Sequence, residues 1–337
     1  MKMIAIHKEK NSFSDRWIEY CINQKVPYKI VNCYDSDIIQ QLKDCSALMW
    51  HIDHMEFRDY LFAKQLLVSV EKMGKKVFPD TNTSWHFDDK IGQKYLLEAI
   101  DAPLVPTYLF YSKKDALSWI ETATFPKVFK LRNGSGSANV KLVNNLKEAK
   151  KLVEVSFSTG HNSLNYNFIF KERLRKYIKG KVSIYSLGKW FLALFLRTGI
   201  SGMYRREIGY ILFQDFIPNN KFDIRIVIVN DKAFGLKRIV RKNDFRASGS
   251  GNIIYGKQQI PISCVKLAFD LNRKINGQSM AFDFVFDQDL KPLIVELSFG
   301  YAMKAYDKCD GYWDSDLNFH EGKISPQDWM IESILNS

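Results

Sequence analysis

The 337-residue sequence has no CxxC pair among its five cysteines, no apolar run long enough to cross a bilayer and no internal repeat. Cys21, Cys33, Cys45, Cys264 and Cys309 are scattered, so they read as free thiols in a reducing compartment; neither a zinc site nor a disulfide framework follows. The longest wholly apolar run, Trp190 to Leu196, falls far short of the ~20 residues that a spanning helix needs. The opening MKMIAIHKEKN lacks a signal-peptide core, which gives a cytoplasmic reading. No Ser–His–Asp or Cys–His pattern marks a side-chain nucleophile. His51 and His54 flank Asp53 in WHIDHMEF, but with no second half of a metal site nearby they read as a polar loop after a strand.

What the chain does have is positive charge. A formal charge of +12 and a pI near 9.2 point to an anionic partner without choosing among nucleic acid, a membrane surface, a nucleotide and an acidic substrate. No DNA- or RNA-binding module is visible. The densest basic stretch, FKERLRKYIKGK at 170–181, reads equally as a solvated helix face.

The first ~80 residues alternate between short β-type and amphipathic α-type patterns: KMIAIH, SDRWIEYCINQK, YKIVNC, DIIQQLKD, ALMW, FRDYLFAKQLLVSVEKMG and KVFPD. This alternation predicts a small, mostly parallel sheet covered by helices, with Gly74 ending the long helix. From Asp88 a helix opened by acidic residues, DDKIGQKYLLEAI, leads into a proline-marked extended segment and a further helix, DALSWIETA. FPKVFKL and ANVKLV then bracket FKLRNGSGS, a loop that reads either as a turn or as a phosphate cradle. Lys130 precedes its glycines on the strand, unlike a Walker A lysine. After a basic, aromatic insert at 155–209 the pattern turns β-rich, and a helix, SCVKLAFDLNRKIN, precedes the hairpin MAFDFVFDQDLKPLIVELS.

That hairpin is the most informative stretch. With its turn at Gln288–Lys291 and Asp287 facing Pro292, Asp283 falls opposite Glu296 and Ala281 opposite Ser298, so Asp283, Glu296 and Ser298 share a face. Opposed carboxylates repel, and a divalent cation such as Mg²⁺ brought with nucleotide phosphates removes that cost. A one-residue slip would instead turn both carboxylates to solvent.

DDKIGQKYLLEAIDAPLVPT, KVFKLRNGSGSANV, ILFQDFIPNNKFDIRIVIV, LKRIVRKNDFRASGSG, MAFDFVFD and LIVELSFG occur in an order that resembles the ATP-grasp carboxylate–amine ligases, in the branch of the ribosomal-protein glutamate ligase, with similarity to D-alanine–D-alanine ligase. The resemblance covers about residues 88–300 without the insert. It implies an α/β pre-ATP-grasp domain at 1–87 with a small parallel sheet, then two α+β subdomains, 88–212 and 213–337, that clasp ATP. It implies that Lys90 and Lys130 contact nucleotide phosphates beneath a flap of Gly134, Ser135, Gly136 and their neighbours. Gln214, Asp215, Phe216 and Ile217 would hold adenine, and Asp223 would lie near the ribose. Arg225 and Arg246 would face the phosphates and the reacting centre, and Asp283 and Glu296 would bind Mg²⁺ or Mn²⁺. One departure is Ser298, where the family's last metal ligand is usually asparagine; the other is the long insert. The ending DGYWDSDLNFHEGK resembles tails of uncharacterised ATP-grasp proteins, some linked to surface polysaccharides. The expected activity is an ADP-forming ligation of a carboxylate, through an acyl phosphate, to an amine on a saccharide, peptide or amino acid. An ATP-dependent kinase and a basic nucleic-acid-binding protein remain the alternatives.

Overall fold

The computed structural model describes residues 3–10, 12–53, 56–134, 139–162, 206–242 and 244–336, with Leu174, Tyr177, Ser183, Tyr185 and Gly188. Most of the 155–209 insert, including all of the basic stretch at 170–181 but Leu174 and Tyr177, and all of the apolar run at 190–196, therefore lies outside the described residues. Two compact units emerge. One comprises Met1–Phe87, Gly92–Val105 and Ile217–Ser337; the other comprises Asp88–Ile91 and Pro106–Phe216.

The first unit begins with β1 (Ile4–His7), α1 (Phe13–Asn23), β2 (Tyr28–Val31), α2 (Ile38–Gln41), β3 (Ala47–Met49), α3 (Phe57–Lys72), β4 (Lys76–Phe78) and α4 (Thr81–Ser84). The strands form a wholly parallel sheet in the order β2-β1-β3-β4, as the alternation predicts. The central strands β1 and β3 are buried on both faces and are apolar but for His7, whereas the edge strands β2 and β4 carry Lys29 and Lys76. Ala5, Leu48 and Val77 pack with Leu67 and Val70 of α3, whereas Ile4, Ile6, Met49 and Phe78 point the other way, toward Trp17 of α1. Gly74, at φ +73°, ends α3 in the left-handed region expected of it.

After α5 (Lys90–Ala99) the chain builds the second unit: β5 (Thr107–Phe110), α6 (Lys113–Thr122), β6 (Lys127–Lys130), β7 (Val140–Val143), α7 (Leu146–Ser156), β8 (His161–Asn162), β9 (Arg206–Glu207) and β10 (Ile211–Asp215). Its sheet runs β5-β10-β6-β7, and Phe129, Phe213 and Val143 pack against α6 and α7.

Returning to the first unit, β11 (Phe222–Val229), β12 (Lys232–Ile239), β13 (Ile253–Ile254), α8 (Ile262–Ile275), β14 (Ser279–Phe286), β15 (Pro292–Ser298), β16 (Gly311–Trp313), β17 (Phe319–Glu321) and α9 (Pro326–Asn336) complete the fold. Their sheet runs β15-β14-β11-β12-β16-β17, with β13 beside β12. One face, carrying Ile224, Ile226, Phe282 and Phe284, packs on α8. The other carries Val227, Val229, Phe234 and Leu236, and shares one continuous core with α9, α1 and the parallel sheet.

Carboxylates gather just beyond the ends of β1 and β3. Asp59 accepts from the Tyr34 hydroxyl and, at 2.7 Å, from the Asp53 N–H, and Glu56 pairs with Arg58 at 3.0 Å. Burial, reinforced by the charges of Asp59, Asp53 and Glu56, pushes Glu9 from its ordinary 4.5 up to about 7. A carboxyl raised in the fold contributes stability that is complete below the unfolded value and is lost as pH rises through the folded one. Glu9→Gln is therefore expected to raise the melting temperature at pH 8 and flatten its decline between pH 5 and 8. Scanning calorimetry that finds the wild-type slope unchanged in the variant would remove Glu9 from that account.

Candidate active site

In the second unit, cross-strand pairing sets Lys130 opposite Leu212 and Val140, and Gln214 opposite Val128. Since Phe129 faces the helices, Lys130, Val128, Leu212 and Gln214 line the other face of this sheet. Lys130 is 5% exposed and Lys90 7%. Buried ammonium groups are costly unless they meet electron-rich partners. The Lys90 Nζ donates to the Gly134 carbonyl at 2.9 Å, and its backbone N–H donates to the Arg132 carbonyl at 3.0 Å. The acidic pair before it ties the same loop down: Asp88 accepts from the Gly134 N–H at 2.9 Å, and Asp89 pairs with Arg132 at 2.5 Å. Gly134 has φ +121°, a conformation that side-chain-bearing residues rarely adopt, so a substitution there would be strained. Ser135 and Gly136 lie outside the described residues. Gln214 donates to the Thr107 hydroxyl at 3.0 Å, and Asp215 pairs at 2.5 Å with Lys127, which lies 5.2 Å from the Tyr108 ring. Phe216 ends this unit.

In the first unit, which opens again at Ile217, the Ile217 carbonyl accepts from the Asn220 Nδ2 at 3.5 Å. The site here is built on one sheet face. Asp283 pairs with Glu296 and Ala281 with Ser298, the register expected from the sequence. The turn differs, because Phe286 rather than Asp287 faces Pro292, and a bulge at Val295 restores the carboxylate register. Asp287 accepts from the N–H groups of Asp289 and Lys291 at 2.9 and 2.8 Å, which commits it to the loop instead of the ladder.

Repulsion between Asp283 and Glu296, which suggested a cation, is answered differently at Asp283. Arg225, directly across the β11–β14 ladder, donates to both Asp283 oxygens at 2.5 and 2.6 Å, and Arg238 reaches one of them at 2.8 Å. Arg238 also donates to both oxygens of Asp223 at 2.6 Å. Burial favours a neutral Asp283, but the two guanidinium groups outweigh it and hold the carboxyl far below the usual range. Burial and the nearby Asp283 charge push Asp223 up. Both Asp223 oxygens thus serve Arg238, so a ribose hydroxyl would have to use a remaining lone pair. Arg246 pairs with Asp244 at 2.7 Å on the loop after β12. The Ser298 hydroxyl donates to the Gly300 carbonyl at 2.8 Å and keeps its acceptor lone pairs.

Among the described residues no group of three His, Cys, Asp or Glu side chains is arranged to hold a metal. The oxygen donors of Glu296 and Ser298 are nevertheless of the kind that a hard divalent cation takes. Asp283 would join them only in competition with Arg225. His51, by contrast, stacks on Phe13 at 3.8 Å and accepts the Phe13 N–H at 3.1 Å, which is the loop role expected of it; His54 lies outside the described residues.

Two residues of this site escape a reading of sequence alone. Arg238, in LKRIVRK, looks like a surface cation, and only its position opposite Asp223 marks it. Gln93 is buried in α5 and bonds the backbone of Leu297, between Glu296 and Ser298, in both directions at 2.9 and 3.0 Å.

Residues 196–312 match the family model of the RimK-like ATP-grasp domain. The described residues have the ATP-grasp fold. The RimK-domain ATP-grasp protein of Sphaerobacter thermophilus aligns with TM-score 0.56 and 14% identity over 99% of this chain and 100% of that one. D-alanine–D-alanine ligase from Bacillus anthracis aligns with TM-score 0.56 and 15% identity over 100% and 98%. N5-carboxyaminoimidazole synthetase from Staphylococcus aureus, complexed with ADP, aligns with TM-score 0.58 and 13% identity over 99% and 77%. No curated protein matches the sequence.

Breaking a buried ion pair by removing one partner typically costs about 3–5 kcal/mol. Arg238→Met is expected to lose that much in denaturant unfolding, and adding Asp223→Leu to recover part of it; a neutral single variant would contradict the network. Gln93→Leu strands a backbone N–H and a carbonyl, at about 1–3 kcal/mol each. It should lower the melting temperature by several degrees, and an unchanged melting temperature would mean that the amide does not hold β15.

Proposed function

We propose that this protein is an ADP-forming ligase that uses ATP to join a carboxylate to an amine. The observation that carries the reading is the face on which Asp283 and Glu296 stand opposite each other beside Arg225 and Arg238, in a chain with the ATP-grasp fold. On this reading Lys90 and Lys130 receive the nucleotide phosphates. Gly134, Ser135 and Gly136 cover them, and Gln214, Asp215, Phe216 and Ile217 take the adenine. Residues 88–212 and 213–337 act as the two ATP-grasp subdomains.

The chemistry asks for positioning and charge compensation more than for a covalent catalyst. An oxygen of the substrate carboxylate attacks the γ-phosphorus, the bond to the bridging oxygen breaks, and ADP leaves with that electron pair. The amine nitrogen then attacks the acyl carbon, the C–O bond to phosphate breaks, and the nitrogen gives up a proton as the amide forms. Arg225 and Arg246 balance the charge of the transferring phosphoryl group. Glu296 and Ser298, with Asp283 when Arg225 yields, would hold Mg²⁺ or Mn²⁺, which supplies charge neutralisation to the phosphates. The acid belongs to a small molecule or a polymer end, and the enzyme works in the cytoplasm.

Thermal-shift screening with Mg²⁺–ATP and panels of carboxylic acids and amines, followed by mass measurement of any adduct, tests the reading. ADP, free phosphate and a new amide are the expected products, whereas a stable phosphorylated product would mark a kinase. Glu296→Gln should abolish ATP turnover with the fold intact, and wild-type turnover in that variant would take the carboxylate out of the reaction.

A further inference from the structure

A buried phenol bears on the same charged face without a hydrogen-bond partner of its own. Tyr306 follows the 3-10 turn Met303–Ala305, just past β15, and is 4% exposed. Its ring is held edge-on against Phe234 at 5.3 Å and Tyr301 at 5.0 Å. Its backbone is held too: its N–H donates to the Met303 carbonyl at 2.9 Å, its carbonyl accepts from the Cys309 N–H at 3.0 Å, and the Tyr255 hydroxyl donates to the Ala305 carbonyl at 2.7 Å. The hydroxyl, in contrast, is buried and meets no donor or acceptor among the described residues.

An unsatisfied buried hydroxyl is destabilising, and phenylalanine would fill the same space without that cost. Phe234, on which the ring packs, shares its sheet face with Arg238 on β12 and stands opposite Val227, one step along that face from Arg225, so Tyr306 lies on the face that carries the charges. A phenol carries its proton at neutral pH, so this hydroxyl can act as a donor.

We propose that the Tyr306 hydroxyl is a ligand-binding group that donates a hydrogen bond to an anionic oxygen, carboxylate or phosphoryl, bound beside Arg225. The proposal rests on the ligase reading, in which such oxygens appear on the acid, on the transferred phosphoryl group and on released phosphate. A donor fixed by packing before the ligand arrives needs no reorganisation when charge develops on that oxygen.

Calorimetric titration of the full-length protein tests the proposal, with MgADP first and inorganic phosphate second at saturating MgADP. Tyr306→Phe should bind MgADP within about twofold of wild type and phosphate about tenfold more weakly, with an apo melting temperature equal to or above that of wild type. Unchanged phosphate affinity in the variant beside intact MgADP binding would overturn the role of Tyr306 alone. A clear drop in the apo melting temperature would also overturn it, by showing that the hydroxyl serves the fold. A wild-type protein that binds neither MgADP nor phosphate would overturn the ligase reading and the Tyr306 assignment together.

Discussion

The arrangement of the first unit depends on keeping two guanidinium groups and two carboxylates buried on a sheet face that is otherwise apolar. Each such ion costs several kcal/mol to remove from water, and the cost is offset only if its partners arrive in the right geometry. Arg238 must therefore stand opposite Asp223, and Asp283 opposite Arg225. A slip of one residue in either ladder would drive these charges toward α8, and a slip of two would leave an ion facing an apolar neighbour. The network thus specifies register across β12, β11 and β14, beyond any stability it contributes.

Glu296 is placed from the opposite side, through its strand. β15 lies at the edge of the sheet, where unpaired backbone groups are a liability. Gln93 satisfies the backbone of Leu297, and the segment at Pro103–Val105 satisfies Ile294 on the same edge. Asn220 bonds the N–H and carbonyl of Phe286 in the same reciprocal manner at the end of β14. The bulge at Val295 falls between these anchored points, so the extra residue is absorbed without displacing Glu296 from Asp283.

Much of this was legible in the sequence because it follows from period. The parallel sheet came from alternating patterns, and the Asp283–Glu296 pairing came from the two-residue period of a hairpin. The bulge did not, because two errors of one residue, at the turn and at Val295, cancel where the carboxylates stand. Nor did α7: LKEAKKLVEVS has helical spacing and an Asn145 cap, but it adjoins a basic, aromatic insert without clear periodicity. Gln93 and Arg238 were hidden because their partners are a backbone and a carboxylate on elements far away in the chain. Local pattern carries no trace of either. Arg225 and Arg238, which compensate Asp283, lie on other strands, so the hairpin sequence alone shows only the like charges of Asp283 and Glu296.

The ion pairs at Asp283 change what a metal would have to do. With Asp283 held by Arg225 and Arg238, Glu296 and Ser298 are the other oxygen donors on this face. A cation drawn there alone would find one carboxylate and one weak neutral ligand, a poor site by the standard of hard divalent ions, which favour several oxygens. Phosphate oxygens, on the proposed reading, would complete its coordination and would also draw Arg225. On the proposed reading, a nucleotide that draws Arg225 toward its phosphates would free an Asp283 oxygen as it brings its own metal. The ion pair that holds the sheet in register would then also keep the metal site incomplete until the nucleotide arrives.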